Sequence, residues 1–269
     1  MYNAFYGFQE PPFNITPDPR FLFYSERHRE AFNHILFGIR ERKGFIQITG
    51  EVGAGKTTVC RAVLEELGDQ VKTALILNPC LTSTQLLRAI LTELGLPAKD
   101  DKVDCLHELN RFLLEQLAAG YDVVLFIDEA QDLDFELLEQ VRLLSNLETD
   151  QRKLLQIVLL GQPELREKLE ERRLRQLRQR ITVRYHLKPL SREEMEHYIH
   201  HRLQVAGGNG VPTFNRFALG SIYRYSGGVP RLVNAVCDKA LLCGYVTGDD
   251  HLTWRHVRRA IRELEGEIG

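Results

Sequence analysis

The chain has 269 residues, 43% of them apolar and 27% charged, and a formal net charge of −2. That length can bury a sizeable core in one or two domains, and so balanced a charge gives no whole-chain attraction for nucleic acid or an anionic membrane. No run reaches the roughly 18 apolar residues that span a bilayer, the N-terminus lacks the basic-then-apolar layout of a signal peptide, and five cysteines without a C-x-x-C pair fit reduced cytosolic thiols better than a disulfide framework.

Residues 1–24 crowd eight aromatics (Tyr2, Phe5, Tyr6, Phe8, Phe13, Phe21, Phe23 and Tyr24) among Pro11, Pro12, Pro17 and Pro19. The prolines forbid a long helix, so the segment reads as an extended arm with its rings in grooves of the globular body. It could wall an adenine pocket, contact a neighbouring subunit, or simply pack. A helix follows over His28–Arg42, with Ala31, Ile35 and Ile39 on one face. Gly44–Thr49 is a short apolar run that reads as a buried strand.

Gly50–Thr58, Gly-Glu-Val-Gly-Ala-Gly-Lys-Thr-Thr, satisfies the phosphate-loop pattern G-x-x-x-x-G-K-[ST]. Gly50, Gly53 and Gly55, with Glu51, Val52 and Ala54 between them, let the backbone curl so that successive N–H groups face a phosphate. Lys56 brings a charge to the β- and γ-phosphates, and the Thr57 hydroxyl, followed by Thr58, can ligate the Mg²⁺ that bridges them. A helix starting at Lys56, with Val59, Ala62, Val63 and Leu67 at helical spacing, adds its positive end to the anion site.

Val71–Leu77 is a second strand, followed by helices over Thr84–Leu94 and Val103–Ala118, split by Gly95-Leu96-Pro97. Val123–Ile127 is an uninterrupted apolar run, as in a parallel strand buried on both faces, and it ends in Asp128-Glu129. An acid there can hold Mg²⁺ and the next can orient and deprotonate the attacking water, so Asp128 is assigned to the metal and Glu129 to the water. Leu137–Leu147 reads as a helix and Leu154–Leu160 as a fourth strand. Gln162, where that strand ends, could touch the γ-phosphate or the water, or bond to loop backbone. Leu165–Arg180 reads as one charged helix before a fifth strand, Ile181–Leu187. Its arginines are largely a solvated face balanced by Glu164, Glu167, Glu170 and Glu171. One of them could still reach a neighbouring molecule's γ-phosphate, in the order Arg180, Arg178, Arg175.

From Ser191, which with Glu194 makes a capping-box signature, the pattern becomes all helical, over 192–206, 214–226, 230–245 and 253–265. Gly227–Arg231 opens a lid helix with Pro230 in its first turn. Arg231 is then a cation at a helix start, a placement that a bound nucleotide would compensate. His197, His200 and His201 lack the partners of a zinc set. Arg255, His256, Arg258, Arg259 and Arg262 make the last helix basic, a solvated face or a weak nucleic-acid site. Alternating strands and helices predict an α/β domain with a parallel five-stranded sheet over 1–188 and a smaller all-helical lid over 189–269.

Together the phosphate loop, Asp128-Glu129, Gln162, a pre-strand arginine and Arg231 resemble the AAA+ ATPases over most of the chain. More narrowly, the sequence is similar to the general secretion pathway protein A family (ExeA type). The matching stretches are Met1-Tyr2, Phe5-Tyr6-Gly7, Pro12-Phe13, Thr16–Arg20, Gly44-Phe45, Gly50–Thr58, Phe126–Gln131, Gly161–Leu165, Gln179–Ile181 and Gly228–Arg231. The resemblance implies an ATPase that takes ATP and Mg²⁺ and assembles as a ring or filament of like subunits. It implies a cytosolic protein that helps build type II secretion, type IV pilus or exopolysaccharide export machinery at the inner membrane. Many members continue into a membrane span and a periplasmic peptidoglycan-binding region, and this sequence has neither. Rival readings are a DNA-targeting or transposition ATPase, a helicase (for which the chain lacks room for a second sheet domain), and a nucleotide-gated scaffold with little turnover.

Overall fold

The computed structural model describes residues 1–14, 19–21, 23–77, 79–149 and 152–266; Pro17 of the arm and Thr16–Asp18 of the matching stretches lie outside these. In chain order the elements are α1 (Tyr2–Tyr6), α2 (Glu26–Arg40), β1 (Phe45–Gly50), α3 (Lys56–Leu67), β2 (Val71–Ile76), α4 (Ser83–Glu93), α5 (Lys102–Ala119), β3 (Asp122–Ile127), α6 (Phe135–Leu144) and β4 (Gln156–Gly161). Then come α7 (Pro163–Glu170), α8 (Arg175–Arg180), β5 (Ile181–Leu187), α9 (Arg192–Val205), β6 (Thr213–Phe214), α10 (Arg216–Ser226), α11 (Pro230–Thr247), β7 (His251–Leu252) and α12 (Trp254–Leu264). They form two compact units: a sheet unit of Arg29–Gly50 and Val59–Leu187, and a helical unit of Met1–His28, Glu51–Thr58 and Lys188–Gly269.

In the sheet unit five parallel strands run in the order β2-β3-β4-β1-β5. β1 and β4 are buried along their whole length and β3 from its second residue on, which is why each is mostly apolar, with Gln47 and Thr49 of β1 and Gln156 of β4 as buried polar members. β5, at an edge, alternates buried Ile181, Val183 and Leu187 with exposed Thr182, Arg184 and His186. The register pairs Thr49 with Gly161 and Ile127 with Leu159, so the carboxyl ends of β3, β4 and β1 lie side by side. That edge is where a parallel sheet presents its loops to ligands. The helices start where side chains satisfy their first N–H groups: Thr82 with Gln85 for α4, Asp101 for α5 and Asp134 for α6, each cap contributing about 1 kcal/mol.

One predicted helix is not continuous. Residues 165–180 form α7, a 3₁₀ turn over Arg172–Leu174, and α8. Leu165, Leu169, Leu174 and Leu177 are all buried in the sheet unit's core. In an unbroken helix the five-residue step from Leu169 to Leu174 would swing Leu174 by about 140° away from Leu169. The break brings both leucines to the same core.

The helical unit packs α9 to α12 around Met195, Ile222, Val236 and Leu241, and its core includes Tyr6, Phe8, Phe13 and Phe21 of the arm. Each such ring contributes roughly 1.5–3 kcal/mol on burial. The arm is also tied by polar groups. The Tyr6 hydroxyl faces the carbonyls of Leu241 (3.2 Å) and Asp249 (3.1 Å). Burial first, then Asp249 and Asp250, push the Tyr6 phenol up to about 12. Buried Arg202 donates to the Pro12 (2.5 Å) and Asn14 (3.1 Å) carbonyls and lies 4.7 Å from the Phe21 ring centre, so its charge is satisfied inside the core. The Ser191–Glu194 capping box is present at the start of α9. The unit is not purely helical: β6 and β7 pair over two residues, where the α9–α10 and α11–α12 connections run together and satisfy one another's backbone groups.

Candidate functional site

The Gly50–Thr58 stretch leaves β1, turns through Glu51–Gly55 and enters α3 at Lys56, where the sequence places the helix start. Gly53 (φ 75°) and Gly55 (φ 101°) adopt left-handed backbone that a side chain would strain. Space excludes side chains there as well. A Cβ on Gly53 would collide with the Cβ of Arg231, and one on Gly55 would lie 2.7 Å from His28 Nε2. A twelve-residue helix begins directly behind this turn, so its N-terminal N–H groups add to the anion-binding character of the loop. Glu51 and Val52 are exposed, Ala54 is buried, and Thr57 and Thr58 are partly exposed. Lys56 is buried, and its Nζ donates to the Glu51 carbonyl (3.1 Å) across the base of the loop.

Two contacts from the helical unit hold the loop, and a third supports one of them. The Arg231 N–H donates to the Gly53 carbonyl at 3.3 Å, which seats the first turn of α11, with Pro230 at its start, against the loop. His28 Nε2 lies 3.0 Å from the Ala54 carbonyl. Ser25 Oγ lies 2.7 Å from His28 Nδ1. The Arg231 side chain is exposed.

The acidic pair belongs to the sheet unit. The Asp128 N–H donates to the Ile76 carbonyl (2.8 Å), extending the β2–β3 ladder by one residue, and its buried carboxylate accepts the Glu129 N–H (2.9 Å). Cys60 of α3 lies near Asp128: burial first, and then that carboxylate, push its thiol up. Glu129 has left-handed backbone (φ 50°, ψ 38°), a strained state for a side-chain-bearing residue that persists where neighbours over-determine it. Those neighbours are two glutamines. Glu129 Oε2 accepts from Gln131 Nε2 (2.9 Å) and Gln162 Nε2 (3.3 Å), while Gln131 Oε1 accepts the Gln162 N–H (2.9 Å). Lys168 Nζ donates to the carbonyls of Gln131 and Leu133 (2.9 Å for the latter), fixing the turn beneath them.

The arginines separate. Arg180 is half-buried and donates to Ser145 Oγ (2.6 Å). Arg178 pairs with Glu170 (3.1 Å) beside a cavity of about 280 Å³ that Arg166, Arg184 and His186 also line. Arg175 is exposed. The structure therefore brings Asp128, Glu129 and Gln162 together in the sheet unit, and the loop residues and the start of α11 together in the helical unit. Gln131, Lys168, Ser25 and His28 escaped the sequence reading. Gln131 stood in plain view two residues after Glu129, whereas His28 served there only as a helix start.

Comparison with known proteins agrees with this geometry. A sequence family described as an AAA domain matches residues 39–169. The chain is 49% identical over 268 residues to General secretion pathway protein A of Aeromonas hydrophila; the alignment takes in 99% of this chain and 49% of the relative, so the chain spans about half the length of the curated relative it matches. Among solved structures it resembles the Aeropyrum pernix ORC2 protein in its ADPNP-ADP complexes (TM-score 0.70, 19% identity, 95% of this chain and 72% of that one). It also resembles the Thermotoga maritima RuvB Holliday junction branch migration motor (TM-score 0.60, 19% identity, 90% and 69%). These two likenesses establish the fold.

Proposed function

We propose that the chain, similar to General secretion pathway protein A and matched by an AAA domain over residues 39–169, is an AAA ATPase of that branch that binds Mg-ATP on the Gly50–Thr58 loop and hydrolyses it. The observation that carries this reading is the loop itself. Its left-handed Gly53 and Gly55 curl the backbone directly ahead of α3 and Lys56, which is the cradle a polyphosphate requires. Lys56 would exchange its bond to the Glu51 carbonyl for phosphate oxygens. The Thr57 hydroxyl and the Asp128 carboxylate are the oxygen ligands suited to Mg²⁺, which when bound neutralises charge on the β- and γ-phosphates. Glu129 orients and deprotonates water, and Gln162 and Gln131 aim its carboxylate. Arg231, one residue into α11, reports nucleotide occupancy to the lid, and Arg180 is offered to a neighbouring subunit. ATP binding then drives assembly of like subunits, and the cycle serves construction of a secretion, type IV pilus or exopolysaccharide export machine.

A second reading is a nucleotide-gated scaffold with slow turnover. It is favoured by one observation: two amide donors share Glu129 Oε2, which leaves Oε1 alone to take a proton from water.

The test is steady-state ATP turnover of the parent and of Glu129→Gln, with the solution mass of each followed by light scattering with and without Mg-ATP. Turnover in the parent, its loss in the variant, and growth of the variant with Mg-ATP are expected. Equal turnover in both removes the assignment of Glu129. Nucleotide binding with negligible turnover in the parent leaves the scaffold.

A further inference from the structure

We infer that Ser25 and His28 are a positioning pair for the phosphate loop: the His28 Nε2–H, donated to the Ala54 carbonyl, fixes the Ala54–Gly55 peptide and so sets the direction in which the Gly55 N–H meets a nucleoside polyphosphate. The inference deepens the proposed nucleotide site and rests on it.

In a trans peptide the carbonyl oxygen and the following N–H point to opposite sides. Whatever holds the Ala54 carbonyl therefore aims the Gly55 amide. Gly55, at φ 101°, has no side chain to resist rotation of that plane, so the loop needs a restraint from outside. Ala54 is fully buried, and its carbonyl requires a partner in the protein. His28 Nε2 meets it at 3.0 Å and lies where a Gly55 Cβ would be, 2.7 Å away. The ring thus occupies the space that the glycine leaves open.

The proton positions follow from the partners. A carbonyl only accepts, so Nε2 carries the hydrogen. Ser25 Oγ accepts the His28 backbone N–H (3.3 Å), as a helix-capping hydroxyl does, and its own O–H remains for Nδ1 at 2.7 Å. One buried hydroxyl thereby caps α2 and selects the ring tautomer that the loop needs. Burial lowers the His28 pKa, opposed by the Ala54 carbonyl and by Glu194, the charged group that faces the ring from α9. The neutral ring is the form this chain of bonds uses. A second ring proton would leave Nδ1 unable to accept from Ser25.

The experiment measures equilibrium binding of Mg-ADP to the full chain, at pH 7.5 and 5.5, for the parent, His28→Leu, His28→Gln and Ser25→Ala, with circular dichroism and thermal unfolding as fold controls. His28→Leu is expected to bind about 10-fold more weakly, the loss of one buried hydrogen bond to the loop. His28→Gln, which keeps a side-chain N–H donor of similar reach, should stay within about threefold of the parent. The parent should weaken more than His28→Gln on going to pH 5.5, since only the histidine titrates there. Should His28→Leu fail to fold, Ser25→Ala takes its place, with several-fold weaker binding expected and parent-like binding overturning the pair. A leucine variant that binds like the parent, or a glutamine variant as weak as the leucine one, overturns the positioning role while the nucleotide site stands. A parent that binds no Mg-ADP removes the nucleotide reading, and the inference with it.

Discussion

The turn after β1 and the turn after β3 carry the two halves of the proposed chemistry, and they are held in opposite ways. The loop after β1 is restrained through its backbone carbonyls, by the Arg231 N–H at Gly53 and by His28 at Ala54. The acids after β3 are restrained through their side chains, by Gln131 and Gln162 at Glu129. The loop must present N–H groups and therefore has its oxygens tied from behind. Glu129 must present a carboxylate and therefore has that carboxylate aimed, at the cost of a strained backbone. Substitutions in the two turns should accordingly separate binding from turnover.

The largest separation is expected from Glu129→Gln, which removes the base: kcat should fall by about 100-fold or more, with Mg-ADP affinity changed by less than about threefold. Single-turnover kinetics beside calorimetric titration reads both. The reverse is expected of Lys56→Ala, with about 10- to 100-fold weaker Mg-ATP binding from loss of charge-assisted hydrogen bonds. If both variants lose affinity equally, the division of labour between the turns is wrong. Gln131→Ala should sharpen it. It removes one of the two donors to Glu129 Oε2 and the acceptor of the Gln162 N–H together, so kcat should drop several-fold and stability by about 1–3 kcal/mol in urea unfolding, while Mg-ADP affinity holds.

A smaller effect is set by pH. Burial lowers the His28 pKa below its ordinary 6.5 in the folded chain. Below about pH 6.5 the unfolded ring takes up a proton that the folded ring refuses, so stability is full above that pH and falls as the pH drops beneath it. Urea midpoints at pH 7.5 and 5.5 should differ more for the parent than for His28→Gln. Arg231→Ala is expected to weaken Mg-ATP binding only several-fold, because the backbone N–H contact to Gly53 is kept and only the guanidinium is lost. A several-fold loss of Mg-ATP affinity would assign the exposed guanidinium to the nucleotide, and no change would leave Arg231 only its place at the start of α11.

Much of this was legible from residues alone. β3 announces itself as an unbroken apolar run because it is buried on both faces, β1 and β4 as apolar runs that carry only the buried Gln47, Thr49 and Gln156, and the loop announces itself because only glycine tolerates the turns at 53 and 55. The break between α7 and α8 was also written in the sequence, as a five-residue step between Leu169 and Leu174, but charged residues between them hide it behind good helix formers. The link from His28 to Ala54 was not legible. The two are 26 residues apart in sequence, and nothing local to a histidine in the first turn of a helix says which carbonyl it will meet. The arm shows the same limit: its rings proclaim burial, but not that α9 to α12 supply the groove.

That docking of the arm has a consequence for synthesis. Phe21 emerges about 170 residues ahead of Arg192, where α9 begins, and translation at about 5–20 residues per second makes the delay roughly 10–35 s. Through that interval Tyr6, Phe8, Phe13 and Phe21 have no native groove to enter, and the sheet unit, which ends at Leu187, is itself still being made. The order of manufacture thus reverses the order of assembly: the arm is made ahead of the sheet unit and finds its place after it, and until then its aromatic rings are a surface of the nascent chain that a chaperone would meet.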